Sequence, residues 1–144
     1  MTRELPPAHA RAFRVLTLLL GVAVAVSVVH YTDNTVNYSD YPESTTLPNP
    51  SQAVVFGSWF LFTGFGVAGW LAFRAGEVRR AALCLAVYSG SGLVGILHYT
   101  VGGTSRFPWW RHAHIASDIT CGVAVLAFAV WSVVRLDRAA PSAV

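Results

Sequence analysis

The stretch AVVFGSWFLFTGFGVAGWLAF, residues 53–73, runs for 21 positions without a charged side chain. At 1.5 Å of rise per residue, about 20 helical residues cross the roughly 30 Å hydrocarbon core of a bilayer. Hydrocarbon offers the backbone no water, so a lone spanning stretch satisfies its own hydrogen bonds by forming an α-helix. Phe13–His30, Ala81–Tyr99 and Ile115–Val134 read the same way, the last extended back to His112. Spans are therefore expected at 13–30, 53–73, 81–99 and 112–134, and Asp118 is the one carboxylate inside them. The chain reads as an all-α membrane protein, a single domain over residues 1–144 folded as an antiparallel four-transmembrane-helix bundle.

Composition points the same way. The chain is 54% hydrophobic and 12% charged, where soluble domains carry about 25% charged residues. A net charge of +3 does not mark a nucleic-acid binder, because the ten basic residues, all arginine, flank the apolar stretches and form no basic run. Arginine to the exclusion of lysine fits a GC-rich coding bias. The expected location is a cell membrane, entered as a multi-pass protein, with a bacterial plasma membrane as the particular expectation.

Arginine placement orients the bundle. Arg3, Arg11, Arg14, Arg74, Arg79, Arg80, Arg135 and Arg138 fall on one side, against Arg106 and Arg111 on the other. The positive-inside rule then puts both termini in the cytoplasm. Ala23-Val24-Ala25 resembles a signal-peptide cleavage site, but the apolar run continues through Val29 and is long enough to span, so a retained helix is expected.

Residues 1–10 read as a short tail, with Pro6-Pro7 resisting helix, and Ala139–Val144 as a frayed end. The extracytoplasmic loop 31–52 holds Pro42, Pro48 and Pro50, which stop a helix, together with Tyr31, Tyr38 and Tyr41. Its tyrosines set it apart from a disordered linker, and a lid over the bundle mouth is expected. Ser51 is placed to cap the second helix. Gly57, Gly64, Gly66 and Gly69 in the second span, with Ser89, Gly90, Ser91, Gly92 and Gly95 in the third, predict close helix contacts. Cys84 and Cys121 lie at different depths, so no bridge joins them.

The chemistry collects at one level. His30 ends the first span, His98 ends the third, and His112 and His114 open the fourth. Asp33 and Asn34 follow His30 by three and four residues, and share its face if the helix runs one turn further. Asp118 lies four residues after His114 on the same face; a carboxylate at that depth is costly toward lipid and must point inward. Imidazole and carboxylate together suit zinc, copper or iron. The expected metal ligands are His30, His98, His114, Asp118 and Asp33. His112, Asn34, Tyr31, Tyr99 and Ser91 are expected around them or facing a substrate. No metal motif of fixed spacing and no serine elbow is present.

Three functions follow as expectations. The leading one is a metal-binding membrane protein and, if an enzyme, a metal-dependent one acting on a lipid or small apolar molecule. A non-catalytic accessory subunit of a larger membrane complex is the second, with the histidines as a structural network. A haem b electron-transfer protein, ligated by two histidines of facing helices, is the third. Membrane lipid, further copies of the chain or a larger complex are the expected partners, and nucleic acid is not.

Overall fold

The computed structural model describes residues 6–46 and 48–137. Arg3, Arg138 and the segment Ala139–Val144 lie outside the described residues. Four helices form: α1 (Pro7–Val36), α2 (Gln52–Arg74), α3 (Val78–Leu93) and α4 (Trp109–Ser132). No strand occurs among the described residues. All four, α3 taken through Thr100 and α4 through Leu136, are long and apolar enough to cross a membrane.

α1 begins earlier and ends later than expected. Pro7 occupies its first turn, where a missing N–H costs nothing and the fixed φ suits a helix, so residues 7–10 are helical rather than a resisting tail. At 30 residues, roughly 45 Å, α1 exceeds the hydrocarbon thickness and carries Asp33 and Asn34 on the same helix as His30. Asn37 ends it, its backbone N–H donating to the Asp33 carbonyl at 2.9 Å. Ser51 caps α2 as expected, its Oγ accepting from the Val54 N–H at 3.4 Å. Between α2 and α3 the chain turns at Gly76, whose φ of +83° favours glycine.

α3 does not run as one α-helix through the expected span. It tightens after Leu93 into a 3-10 segment, Val94–Thr100. Seven residues is long for this geometry, in which a run beyond three or four is uncommon. The narrowing changes the direction of His98 relative to an α-helical continuation.

The helices are sequential neighbours, and α1 closes the ring against α4. Their directions alternate: His9 at the start of α1 meets the Phe73 carbonyl at the end of α2. The small-residue expectation holds at particular positions. A Cβ on Gly66 would press on the Tyr88 ring and one on Gly69 on Leu85, so α2 lies close on α3. A Cβ on Gly92 would overlap the Asp118 carbonyl, and one on Gly122 would come within 2.8 Å of the Ser89 carbonyl, so α3 and α4 touch backbone to backbone. Gly57 and Gly64 face open space. Both cysteines are free.

The interior divides by level. The half nearer the arginine-rich end is mostly apolar, built on Leu16, Phe73, Leu85, Val125 and Phe128, with His9 and Ser132 also buried. The other half buries His30, Asp33, Asn34, Arg111, His114 and Asp118.

Candidate functional site

The site grows from the last two turns of α1. His30, Asp33 and Asn34 are all buried there, so the face-sharing expected of them is met. Opposite them, α4 presents Arg111, His114 and Asp118, spaced three and four residues apart on one buried face. His98 enters half-buried from the 3-10 segment.

Three histidines from three elements stand ring to ring. His30 lies at the centre, with centroids 5.5 Å from His98 and 5.3 Å from His114. Hydrogen bonds order them. The Asn34 Nδ2 donates to His30 Nε2 at 2.8 Å and lies 3.4 Å from His98 Nε2. With Nε2 accepting, a neutral His30 carries its proton on Nδ1, which faces His114 Nδ1 at 3.4 Å. His114 in turn donates from Nε2 to Asp33 Oδ2 at 3.2 Å. This direction gives each contact one donor and one acceptor with both rings neutral and Asp33 ionised.

Asp33 is the anchor of the network. Arg111 donates Nε to its Oδ2 at 2.9 Å and Nη2 to its Oδ1 at 3.3 Å. Asn37 donates to Oδ1 at 2.6 Å, and the Tyr41 hydroxyl donates a short hydrogen bond to Oδ2. Burial and the neighbouring carboxylate push the Tyr41 phenol well above its ordinary pKa, which keeps it a donor. Arg111 also reaches Asp40 at 3.2 Å and packs over the rings of Tyr41, Phe107 and Trp110. One buried guanidinium thus ties α1, the following turn and α4 together.

Asp118 stands apart from that anchor. Its Oδ2 lies 4.0 Å from His30 Nδ1 and is buried without a hydrogen-bond partner among the described residues. Asn34 Oδ1 is in the same position.

The expected single metal centre is not assembled. Among the described residues no three His, Cys, Asp or Glu side chains are arranged to hold one ion. Asn34 stands between His30 and His98, and Arg111, Asn37, Tyr41 and His114 engage the Asp33 oxygens. His112 turns away, its Nδ1 bonded to the Tyr99 hydroxyl at 3.3 Å with the two rings stacked. Tyr31 and Ser91 do meet: the Tyr31 hydroxyl donates to the Ser91 carbonyl at 3.2 Å.

Beside this network lies a cavity of about 350 Å³. His30, Asn34, Tyr41 and His98 form its polar wall; Val54, Val55, Phe62, Val94 and Leu97 form its apolar wall. Pro42, Ser44 and Pro48–Pro50 line the loop side. That loop is internally bonded, with the Ser44 N–H donating to Asn49 Oδ1 at 2.8 Å and the Tyr38 hydroxyl to the Pro50 carbonyl at 2.6 Å.

Sequence reasoning missed two side chains of this network and one buried side chain at the other end. Arg111 served only as a topology marker, although it precedes His114 by three residues and so shares its face. Tyr41, expected only as part of the loop over the bundle mouth, donates to Asp33. His9, set aside as part of the tail, is buried; its Nε2 donates to the Phe73 carbonyl at 2.8 Å and its ring stacks on Phe73.

Fold and site together define a small four-helix membrane protein with a buried His/Asp/Arg network at one end. Set against protein-family models, curated proteins and solved structures, the chain matches none of them.

Proposed function

We propose that the chain is an integral membrane protein whose extracytoplasmic end binds a lipid or small apolar molecule with a hydrogen-bonding head. One observation carries this reading: a cavity of about 350 Å³ pairs an apolar wall with a wall of His30, Asn34 and His98. Small-molecule sites are clefts of roughly 300–1,000 Å³, mostly apolar, with a few placed polar groups. Val54 and Leu97 lie on the bundle's lipid-facing surface, 57% and 51% exposed, so a ligand enters from the bilayer with its tail on α2 and its head on the histidines. The extracytoplasmic assignment rests on the arginine asymmetry. In a catalytic version, His98 exchanges a proton with the head group, and the hydrogen-bonded series His30, His114 and Asp33 positions the rings.

The test is solvent extraction of detergent-purified wild-type chain and of Val55→Trp, whose larger ring fills the cavity, followed by mass spectrometry. An amphiphile near one per chain in wild type and absent from Val55→Trp is the expected result. Equal content in both overturns the reading. A stoichiometric partner protein without any amphiphile favours the accessory-subunit function.

A bound transition metal is a second reading, favoured by one distance. Two imidazole nitrogens on one tetrahedral ion, each bonded at about 2.0–2.1 Å, stand roughly 3.4 Å apart, and His30 Nδ1 and His114 Nδ1 are 3.4 Å apart. Asp118 would have to approach to complete the set. Zinc, copper or iron at one equivalent in the purified chain, lost in His114→Ala, supports it. Haem b is less well supported, because the Asn34 amide occupies the space between His30 and His98 where the iron would sit.

A further inference from the structure

The arginine-rich end of the bundle carries a second cavity, which shares no residue with the first. It measures about 560 Å³ and opens between the start of α1 and the end of α4. Ala12, Val15, Phe128 and Trp131 give it apolar walls, and Arg11 stands at its edge. Arg135 lies in the π-helical turn Val133–Asp137 that follows α4, next to Leu136 of the cavity lining. Both arginines are exposed, and neither forms an ion pair among the described residues. Glu77, also at this end, faces Arg80.

Exposed guanidinium beside an apolar cleft is a specific combination. Guanidinium binds phosphate in a two-point fork, an apolar cleft facing the bilayer suits an acyl chain, and an exposed tryptophan suits the level between them. Basic pockets between spanning helices commonly hold anionic headgroups. We propose that this cleft seats one anionic phospholipid, its phosphodiester on Arg11 and Arg135 and one acyl chain along Val15, Phe128 and Trp131. The assignment is independent of the histidine-lined cavity.

Native mass spectrometry of the full chain, released from nanodiscs holding equal phosphatidylglycerol and phosphatidylcholine, tests it. Retained lipid should favour phosphatidylglycerol several-fold. Arg11→Gln and Val15→Trp, both at exposed positions, should each abolish that preference. Arg80→Gln, at the same end but outside the cleft, should keep it. No preference in wild type, or an unchanged preference in Arg11→Gln, overturns the proposal. Equal loss in Arg80→Gln also overturns it, since diffuse surface charge would then be the cause. A several-fold rise on truncation after Asp137 overturns it too, because the chain's own terminus would be the occupant.

Discussion

Arg111 grips Asp33 at two points, Nε to Oδ2 at 2.9 Å and Nη2 to Oδ1 at 3.3 Å, with both side chains less than 10% exposed. The pair joins the end of α1 to the start of α4 and sets the geometry of His114, which shares the same carboxylate oxygen. Removing one member of a buried ion pair leaves an uncompensated charge, at a cost of about 3–5 kcal/mol. Arg111→Leu should therefore lower the unfolding midpoint in detergent sharply. Asp33→Asn combined with Arg111→Leu should be less damaging than the two single effects added together. A double variant equal to the sum would mean that the two residues do not act as a pair.

The α3–α4 contact yields a second prediction. Gly92→Ala places a methyl against the Asp118 carbonyl, and Gly122→Ala places one against that of Ser89. Neither obstacle is a flexible side chain, so the helices must part, with an overpacking cost of about 1–3 kcal/mol or more. Gly57→Ala has nothing within 4 Å and gains helix propensity, up to about 1 kcal/mol. Thermal melts of the three variants should place Gly57→Ala at or above wild type and the other two below it. Reversal of that order would remove the close contact as the reason for these glycines.

How much of this was legible in sequence depends on which force wrote each feature. The four spans were legible because hydrocarbon leaves the backbone one solution. Helix rotation was not, because α1 is apolar nearly all round. Its inward stripe mixes small and polar residues with two leucines: His9, Ala12, Leu16, Leu20, Ala23, Ser27, His30 and Asn34 recur at threes and fours. Arg111 lies on the corresponding stripe of α4, seven residues before Asp118, and a count of arginines by membrane side hides that phase. The histidines' level was readable. Their partners were not, since the choice between a metal and an Asn34–Arg111–Tyr41 network turns on loop and side-chain geometry that no spacing encodes.

His9 supplies a third prediction. Its hydrogen bond to the Phe73 carbonyl fastens the start of α1 to the end of α2. That carbonyl also accepts from the Gly76 N–H at 3.0 Å, so it keeps a partner when the imidazole is lost. The cost of His9→Phe, which retains a ring to stack on Phe73, should then be near the roughly 1 kcal/mol of an ordinary hydrogen bond. His9→Ala, which loses the stacking as well, should cost more. Neither should change what occupies the histidine-lined cavity. A loss of bound amphiphile in His9→Phe with an unchanged melting midpoint would contradict this separation of the two ends.

Asp118 gives the last prediction, because its packing offers no stabilising reason for its charge. Arg111 satisfies Asp33, whereas Asp118 has a buried oxygen without a partner among the described residues and His30 Nδ1 no nearer than 4.0 Å. An ionised carboxylate in apolar surroundings is heavily penalised unless paired, and a neutral amide of the same shape escapes most of that penalty. Asp118→Asn should therefore melt at or above the wild-type midpoint, whereas Asp33→Asn should melt well below it. Such a contrast would mark Asp118 as a residue kept for function, the default reading of an ionisable side chain inside a membrane. Extracted amphiphile and bound metal, measured on the same Asp118→Asn sample, then decide between the two proposed readings. Loss of metal with the amphiphile retained favours a ligand role, and loss of the amphiphile alone favours support of His30 at the cavity wall. A midpoint lower by the equivalent of about 2 kcal/mol or more would reveal an unrecognised partner for Asp118 and refute the argument.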